Sequence, residues 1–464
     1  MRSESESLYG HLPPFLQTVA CSLAGWNIQR RRYSRTFFTY LSDAEARSQW
    51  STDRVIEHRD ERLRRFLSYA TAHFPYYEHL FKQQHLDPKS VRKLEDLSLL
   101  PILTKAHIRE NRAKFRPLRK GKHRLVKVHT SGTTGAPLQF HTTLSAAQEQ
   151  WAIWWRYRRW HGLDLGTWCA YFGGRSIVPV ESDRGPLWRT NLPGRQILFS
   201  AYHMSRSNFP AYLEELRRRK PPWLHGYPSL IAALAGYILE SNADLGYEVK
   251  WITLGAENLL DQQAQLIERA FGRKPLQHYG TAEAVANASE CEKGALHIDE
   301  DFSAVELIRR SDGTVSLVGT NFTNINFPMI RYEIEDVAMR EETGCSCGKP
   351  GRVLARIDGR LEDYIVLRNG SRIGRLDHIF KDLTNIREAQ LVQSKVGEVT
   401  IRLQVASDYG AEDENMLLRE SRRRLGNDTK IELEYVSSIP RTPSGKLRFV
   451  VSQLREGHLI EREG

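Results

Sequence analysis

Apolar residues recur at three- and four-residue spacings through Val55, Leu63, Phe66, Leu67, Ala70 and Phe74, set among arginines and glutamates. That period puts them on one face of an amphipathic helix, and the pattern predicts a mainly helical region over residues 1–115. From Leu125 the rhythm changes to short apolar runs broken by Gly and Pro, alternating with helical patterns at residues 211–219, 229–241 and 260–271. Strand and helix in alternation predict an α/β body with parallel strands. A polar, glycine-containing stretch, IDGRLED at residues 357–363, marks a second change. Beyond it EAQLVQS, EVTIRLQVA and KIELEYVS read as strands and residues 411–424 as an amphipathic helix.

The expected fold is therefore α/β. A large N-terminal body comprises a helical part (residues 1–115) and a core of parallel-containing sheets (116–361), followed by a small α+β C-terminal domain (362–464). A chain of 464 residues is long enough for this, at roughly 150 residues per domain.

Composition narrows the class. Hydrophobic residues make up 40% and charged residues 27%, as in a folded globular protein. The formal charge of +11 points to anionic partners. Arginine clusters such as Arg30, Arg31, Arg32 and Arg217, Arg218, Arg219 read as solvated helix faces. No zinc-finger, RNA-recognition or helix-turn-helix signature accompanies them, so no nucleic acid is expected as a partner. Five cysteines, irregularly placed, do not make a disulfide framework, and a reducing, cytoplasmic setting follows. The apolar run over residues 12–25 falls short of the roughly 20 residues that span a bilayer, so no transmembrane segment is expected. The aromatic and basic stretch over residues 26–40 is compatible with peripheral membrane contact.

Candidate chemistry begins at VHTSGTTGAPLQF, residues 128–140. Gly132 and Gly135 permit a tight turn, while Thr130, Ser131, Thr133 and Thr134 offer hydroxyls and amides that can surround phosphate oxygens. The spacing is not that of a Walker loop, and the same residues also suit a hairpin turn. Cys291, His297, Cys345 and Cys347 offer three sulfurs and an imidazole, a donor set suited to structural zinc; independently buried cysteines are the alternative. Trp151, Trp154, Trp155, Tyr157, Trp160, Tyr171, Phe172 and His203, with HGYPS at residues 225–229, are candidates for a substrate pocket. At helical spacing such aromatics also suit a core. The interleaved Arg156, Arg158 and Arg175 favour a polar or anionic group there.

Four further motifs follow in order: LGAENLL (254–260), HYGTAEA (278–284), RYEIEDVA (331–338) with DGRLEDYI (358–365), and PRTPSGKLRF (440–449). With the opening loop, these resemble the adenylate-forming superfamily of acyl-CoA synthetases, luciferases and peptide-synthetase adenylation domains. Within it they look most like the phenylacetate-CoA ligase family. The run GRLEDYIVLRNGSRIGRLDHIF with NIREAQ is similar to a branch labelled capsular polysaccharide biosynthesis proteins. The resemblance covers nearly the whole chain.

It implies a role for each matching residue. Thr130, Ser131, Gly132, Thr133, Thr134 and Gly135 would cradle the β- and γ-phosphates of ATP, and Gly255, Ala256 and Glu257 would line the adenine. Tyr279, followed by Gly280, would stack on the base. Thr281 would bond the α-phosphate and Glu283 would hold Mg²⁺, a hard cation suited to carboxylate oxygens. Asp336 would accept the ribose hydroxyls with Arg360 nearby, and Glu362 would be the hinge of a mobile C-terminal lid. Lys446 would enter the site for adenylation. Similar Cys/His sets occur in some relatives, consistent with Zn²⁺ at Cys291, His297, Cys345 and Cys347.

The implied activity has two half-reactions. A small-molecule carboxylate and ATP give an acyl-adenylate and pyrophosphate, and a nucleophile then displaces AMP. Negative charge builds on phosphate oxygens in the first step, which explains the demand for fixed donors, Mg²⁺ and one mobile cation. The acceptor would be CoA, or an amine or hydroxyl on a sugar or amino acid. Two departures bear on this: Ala136, Pro137 and Leu138 follow Gly135 where relatives commonly carry a polar residue, and RNGSRIG differs from the RGVNVFP-like segment of thioester-forming relatives. A non-catalytic scaffold or nucleic-acid-binding protein on the same fold is the reading from another class.

Overall fold

The computed structural model describes residues 8–119, 121–129, 138–182, 185–309, 315–342, 344–358, 364–373, 376–380, 383, 385–406, 408–440 and 448–454. The N-terminal region is helical, with helices at Pro14–Arg32, Arg35–Arg47, Thr52–His73 and Pro75–Gln83. Thr52–His73 starts where the Ser51 side chain accepts from the Arg54 amide, and it ends two residues before Pro75. Its periodic face, Val55, Leu63, Phe66, Leu67 and Ala70, is buried. Leu63, Phe66, Leu67 and Ala70 pack there with Ala288, Ala304 and Val305 of the neighbouring sheet.

The first of these helices departs from the amphipathic expectation. Its buried positions are Gln17 and Gly25, while Phe15, Val19, Leu23 and Trp26 are exposed. The cause is its neighbour, the strand Trp188–Asn191. Arg189 Nε donates to Gln17 Oε1 at 2.7 Å, and a Cβ on Gly25 would lie 1.8 Å from Asn191 Oδ1. Only a glycine permits that approach.

The body is built on a twelve-stranded sheet among the described residues. Five strands within it run parallel, in the spatial order Gln196–Ser200, Cys169–Gly173, Trp223–Gly226, Trp251–Leu254, Leu276–Gly280. Residues such as Ala170, Phe172, Ile197, Leu198, Leu224 and Ile252 are buried, as expected of strands covered on both faces. The helices Phe209–Arg219, Pro228–Glu240 and Asp261–Phe271 connect successive parallel strands. From Leu276–Gly280 onward the sheet continues antiparallel through Asn287–Glu290, Leu296–Ile298, Val353–Asp358, Tyr332–Glu342, Val315–Asn321 and Ser303–Arg309.

The C-terminal region has its own four-stranded sheet, ordered Lys430–Tyr435, Glu398–Val405, Ile386–Lys395, Val450–Ser452. The helix Ala411–Leu425 packs on it through Leu417 and Leu425. This core reaches the body at Tyr202, whose carbonyl accepts from Asn369 Nδ2 at 3.0 Å. The chain is thus α/β, with parallel-containing sheets in the body and a separate α+β core after them.

Candidate active site at the carboxyl ends of the parallel strands

Numbered in chain order, the five parallel strands lie in the order 2-1-3-4-5, so the direction of winding reverses between Cys169–Gly173 and Trp223–Gly226. In open α/β sheets a crevice forms beyond the carboxyl ends of the strands at such a reversal. Leading up to it are Tyr171, in the middle of its strand, and His225, one residue before the end of its own, with ring centroids 5.7 Å apart; at the ends lie Gly255 and Ala256 after the fourth strand and Tyr279 to Thr281 at the close of the fifth.

Several residues singled out from the sequence come together at these ends. The Tyr279 hydroxyl donates to Asp336 Oδ2 at 2.7 Å across 57 residues of chain. Thr281 anchors a tight turn: its Oγ1 accepts from the Val285 amide at 3.2 Å and its carbonyl from Gln150 Nε2 at 2.9 Å. Glu283 is buried next to Ala284, which holds a left-handed φ of 58°. Ala256 has a φ of 69°, strained for a residue with a Cβ, directly after Gly255. Glu257 Oε2 accepts from the Ser229 amide at 3.2 Å, a cap on the first turn of Pro228–Glu240. At Gly280 an added Cβ would lie 2.5 Å from Asn287 Oδ1, so the glycine is required. Thr130, Ser131, Gly132, Thr133, Thr134, Gly135, Arg360, Glu362 and Lys446 lie outside the described residues.

The aromatic candidates divide. Trp151, Trp154, Trp155 and Arg158 share one face of the helix Leu144–Trp160, whose N-terminus is capped by Thr143 accepting from the Ala146 amide. Trp151, Trp154, Tyr171 and His225 are partly exposed. Phe172 is core, stacked on Phe199 at 4.8 Å, and Tyr157 is fully buried. His203 is also structural: its Nδ1 bonds Ser200 Oγ at 2.8 Å inside the sheet layer. Arg156 does not face a substrate. Its Nη1 donates to Asp301 Oδ2 at 2.7 Å and its Nη2 to Asp299 Oδ1 at 2.6 Å.

That ion cluster and its neighbour His278 escaped the sequence reading. Asp299, Glu300 and Asp301 are buried and gather Arg47, Arg59, Arg156 and Arg352. Asp299 also accepts from Asn287 Nδ2 at 2.6 Å, and Asn287 in turn accepts from Trp154 Nε1 at 2.8 Å, so the cluster fixes one wall of the crevice. An acidic triplet reads as an exposed turn; the available signal was the excess of arginines on apolar helix faces. His278 packs on Trp154 and Tyr157 with centroids 5.5 Å away from each, and burial holds its imidazole neutral, well below its ordinary pKa.

The four metal-type residues also converge. The donor atoms of Cys291, His297, Cys345 and Cys347 all lie within 4.8 Å of one another. Cys291 Sγ is 3.8 Å from Cys345 Sγ, and Cys347 Sγ is 3.3 Å from His297 Nε2. With Zn–S near 2.3 Å, a tetrahedral site needs S–S separations of about 3.8 Å, so the donors fit zinc. His297 Nδ1 lies 3.1 Å from the Pro350 carbonyl, an acceptor only, which places the ring proton on Nδ1 and leaves Nε2 free to ligate.

The comparisons with known proteins agree with this fold. A family model described as the CapK C-terminal domain matches residues 365–453. Protein CapK of Staphylococcus aureus is 27% identical over 456 residues, covering 97% of this chain and 99% of that protein. The phenylacetate-coenzyme A ligase of Thermus thermophilus is 25% identical over 67% of this chain and 71% of its own. Among solved structures, a 2-hydroxyisobutyryl-CoA ligase bound to its acyl-adenylate and CoA superposes with a TM-score of 0.56 at 19% identity, covering 88% and 92% of the two chains. The fold is that of the adenylate-forming enzymes. The chain is similar over most of its length to phenylacetate-CoA ligases and, over nearly all of it, to CapK.

Proposed function

We propose that the protein is an ATP-dependent adenylate-forming ligase: it activates a small-molecule carboxylate as acyl-AMP, releases pyrophosphate, and transfers the acyl group to an acceptor. The observation that carries this reading is the meeting of Tyr279, Asp336, Thr281 and Gly255 at the carboxyl ends of the parallel strands. Tyr279, its hydroxyl tied to Asp336, offers a flat face for the base, and Asp336 would accept from the ribose. Gly255, Ala256 and Glu257 would border the adenine, and Thr281 would donate to the α-phosphate. Ser131, Gly132, Thr133, Thr134 and Gly135 would hold the terminal phosphates, and Glu283 would hold Mg²⁺, which neutralises charge on the departing pyrophosphate.

In the first half-reaction a carboxylate oxygen bonds to the α-phosphorus as the bond to pyrophosphate breaks. Lys446 would be the cation that meets the developing charge. In the second, a lid beginning near residue 362 would turn about Glu362 and admit a nucleophile that displaces AMP. Residues 1–115 and 116–361 would form the body. The acceptor is CoA in the simplest reading. The departure at RNGSRIG and the likeness to CapK over 97% of this chain favour a second one, in which an amine or hydroxyl on a sugar or amino acid takes the acyl group without CoA.

Zinc at Cys291, His297, Cys345 and Cys347 would be a closed structural site, bracing the strands after Tyr279 against those after Asp336. Metal analysis should find one equivalent, lost in Cys345→Ser.

The test is AMP and pyrophosphate release from Mg-ATP across aryl, hydroxy-acid, amino-acid and dicarboxylic substrates, with and without CoA. Lys446→Ala should slow adenylation by roughly 10²- to 10³-fold with little change in stability. Adenylation at the wild-type rate in that variant would remove Lys446 from the mechanism. Salt-dependent nucleic-acid binding with no AMP release would favour a scaffold instead.

A further inference from the structure

Arg158 is buried, 3% exposed, yet among the described residues its Nε and Nη1 have no hydrogen-bond partner. A guanidinium carries five donors, and leaving them unmet in a desolvated place is costly. Among the described residues the groups acting on it are Tyr157, Tyr33 and Cys169, two phenols and a thiol. Its contacts are aromatic: the guanidinium carbon lies 5.0 Å from the Trp155 ring and 5.5 Å from that of Trp223. Cation–π attraction offsets only part of the cost.

Two further guanidiniums share this space. Arg32 sits 3.4 Å over the Trp151 ring and Arg175 5.9 Å from that of Tyr171. Arg32 is held below its ordinary pKa, first by burial and further by the like charges of Arg175 and Arg158. His225 closes the group. Its Nδ1 lies 2.8 Å from the Thr253 carbonyl, and burial with the field of Arg158 pushes it down to about 3. Among the described residues the neighbourhood therefore holds cations, neutral imidazoles and aromatic faces, and it lies along one face of the two strands that flank the topological switch, from Trp223 at the amino end to His225 near the carboxyl end.

We propose that this crevice receives the far end of the acid being activated, and that this end is itself anionic, clamped by Arg158 and Arg32 between aromatic walls. The inference rests on the adenylation reading for what happens at the near end. Its geometry also sets a length. The strand bearing His225 stands two strands from Leu276–Gly280, which carries Tyr279, a separation of roughly 10 Å. The preferred substrates are then acids whose second anion, a carboxylate, sulfate or phosphate, lies several bonds from the reacting carboxylate.

The experiment compares adipate and terephthalate with hexanoate and benzoate on the full chain, by thermal melting without nucleotide and by AMP release with Mg-ATP. Wild-type protein should be stabilised by the dianions and not by the monoanions, and should adenylate the dianions with the higher kcat/KM. Arg158→Met should lose the dianion response, with binding weaker by about tenfold or more. Arg32→Gln, at a partly exposed position, should weaken it less, and it serves if Arg158→Met does not fold. Equal response to both sets, or none to either, overturns the proposal. AMP release from monoanions that Arg158→Met leaves untouched also overturns it while the ligase reading stands. Dianion binding that depends on Arg158 without any AMP release keeps the pocket and removes the ligase reading.

Discussion

Arg156 and Arg158 are two residues apart on one helix, both 3% exposed, and their surroundings could hardly differ more. Two positions on an α-helix are about 200° apart, so the side chains leave on opposite faces. Arg156 meets Asp299 and Asp301 on one side; among the described residues only its Nε lacks a partner. Arg158 meets indoles, phenols and neutral imidazoles on the other. The same desolvation acts on both, and its outcome differs: carboxylates hold Arg156 above its ordinary pKa, while Arg158 is driven below its own. One arginine holds the protein together, and the other leaves a charge to be answered by something that binds. The first also serves the second, because Asp299, through Asn287, fixes Trp154 at the crevice.

The largest way to break the comparison is to remove a partner from the paired side. Asp301 accepts from Arg156 and Arg47, at 2.7 and 2.6 Å, and their charges hold its carboxyl below the usual carboxylate range. Asp301→Ala should cost about 3–5 kcal/mol, since it leaves buried guanidiniums uncompensated. The denaturation midpoint in urea at neutral pH measures this. The sign with pH follows from the depressed value: the contribution is complete above the unfolded carboxylate pKa of about 3.9 and is lost as pH falls through the folded one. A loss below about 1 kcal/mol would mean that the cluster relaxes and the two arginines are more alike than their contacts suggest.

Removing the unpaired charge should have the opposite sign. Arg158→Met keeps much of the apolar stem and deletes a guanidinium whose burial is not compensated, so the ligand-free protein should gain about 1–2 kcal/mol, read as a higher melting temperature. A residue that lowers stability while binding a ligand is the expected signature of a functional site. A destabilisation comparable to that of Asp301→Ala would place Arg158 with Arg156 as a structural group.

How far these features were legible in the sequence follows the same division. The helices at Phe209–Arg219, Pro228–Glu240, Asp261–Phe271 and Ala411–Leu425 lie within a few residues of the patterns that predict them, because local periodicity decides them. Tyr279 and Asp336, and the Cys/His quartet, were visible as ordered motifs although their members meet across 50 or more residues. WWRYRRW, by contrast, says that arginines and aromatics share a helix but not which face meets Asp301, 145 residues away. Arg156, grouped with Arg158 as a substrate-facing cation, belongs to the ion cluster for that reason. The exposed apolar face of Pro14–Arg32 has the same origin: the contact of Gly25 with Asn191 is tertiary and leaves no period in the chain.

The smallest effect sharpens the comparison without altering the fold. His225 titrates at about 3, chiefly through burial and secondly through the field of Arg158. Because the unfolded value is about 6.5, neutral His225 contributes stability above that pH, lost progressively as pH falls toward 3. Replacing Arg158 by Met removes the second cause and leaves the first, so the His225 resonance followed by NMR should titrate at a higher pH than in the wild type, still below 6.5. Bound dianion should move it the same way in the wild type and have no effect in Arg158→Met. An unmoved His225 in both experiments would mean that Arg158 does not project its charge into the crevice, and the distinction between the two arginines would then rest on hydrogen bonding alone.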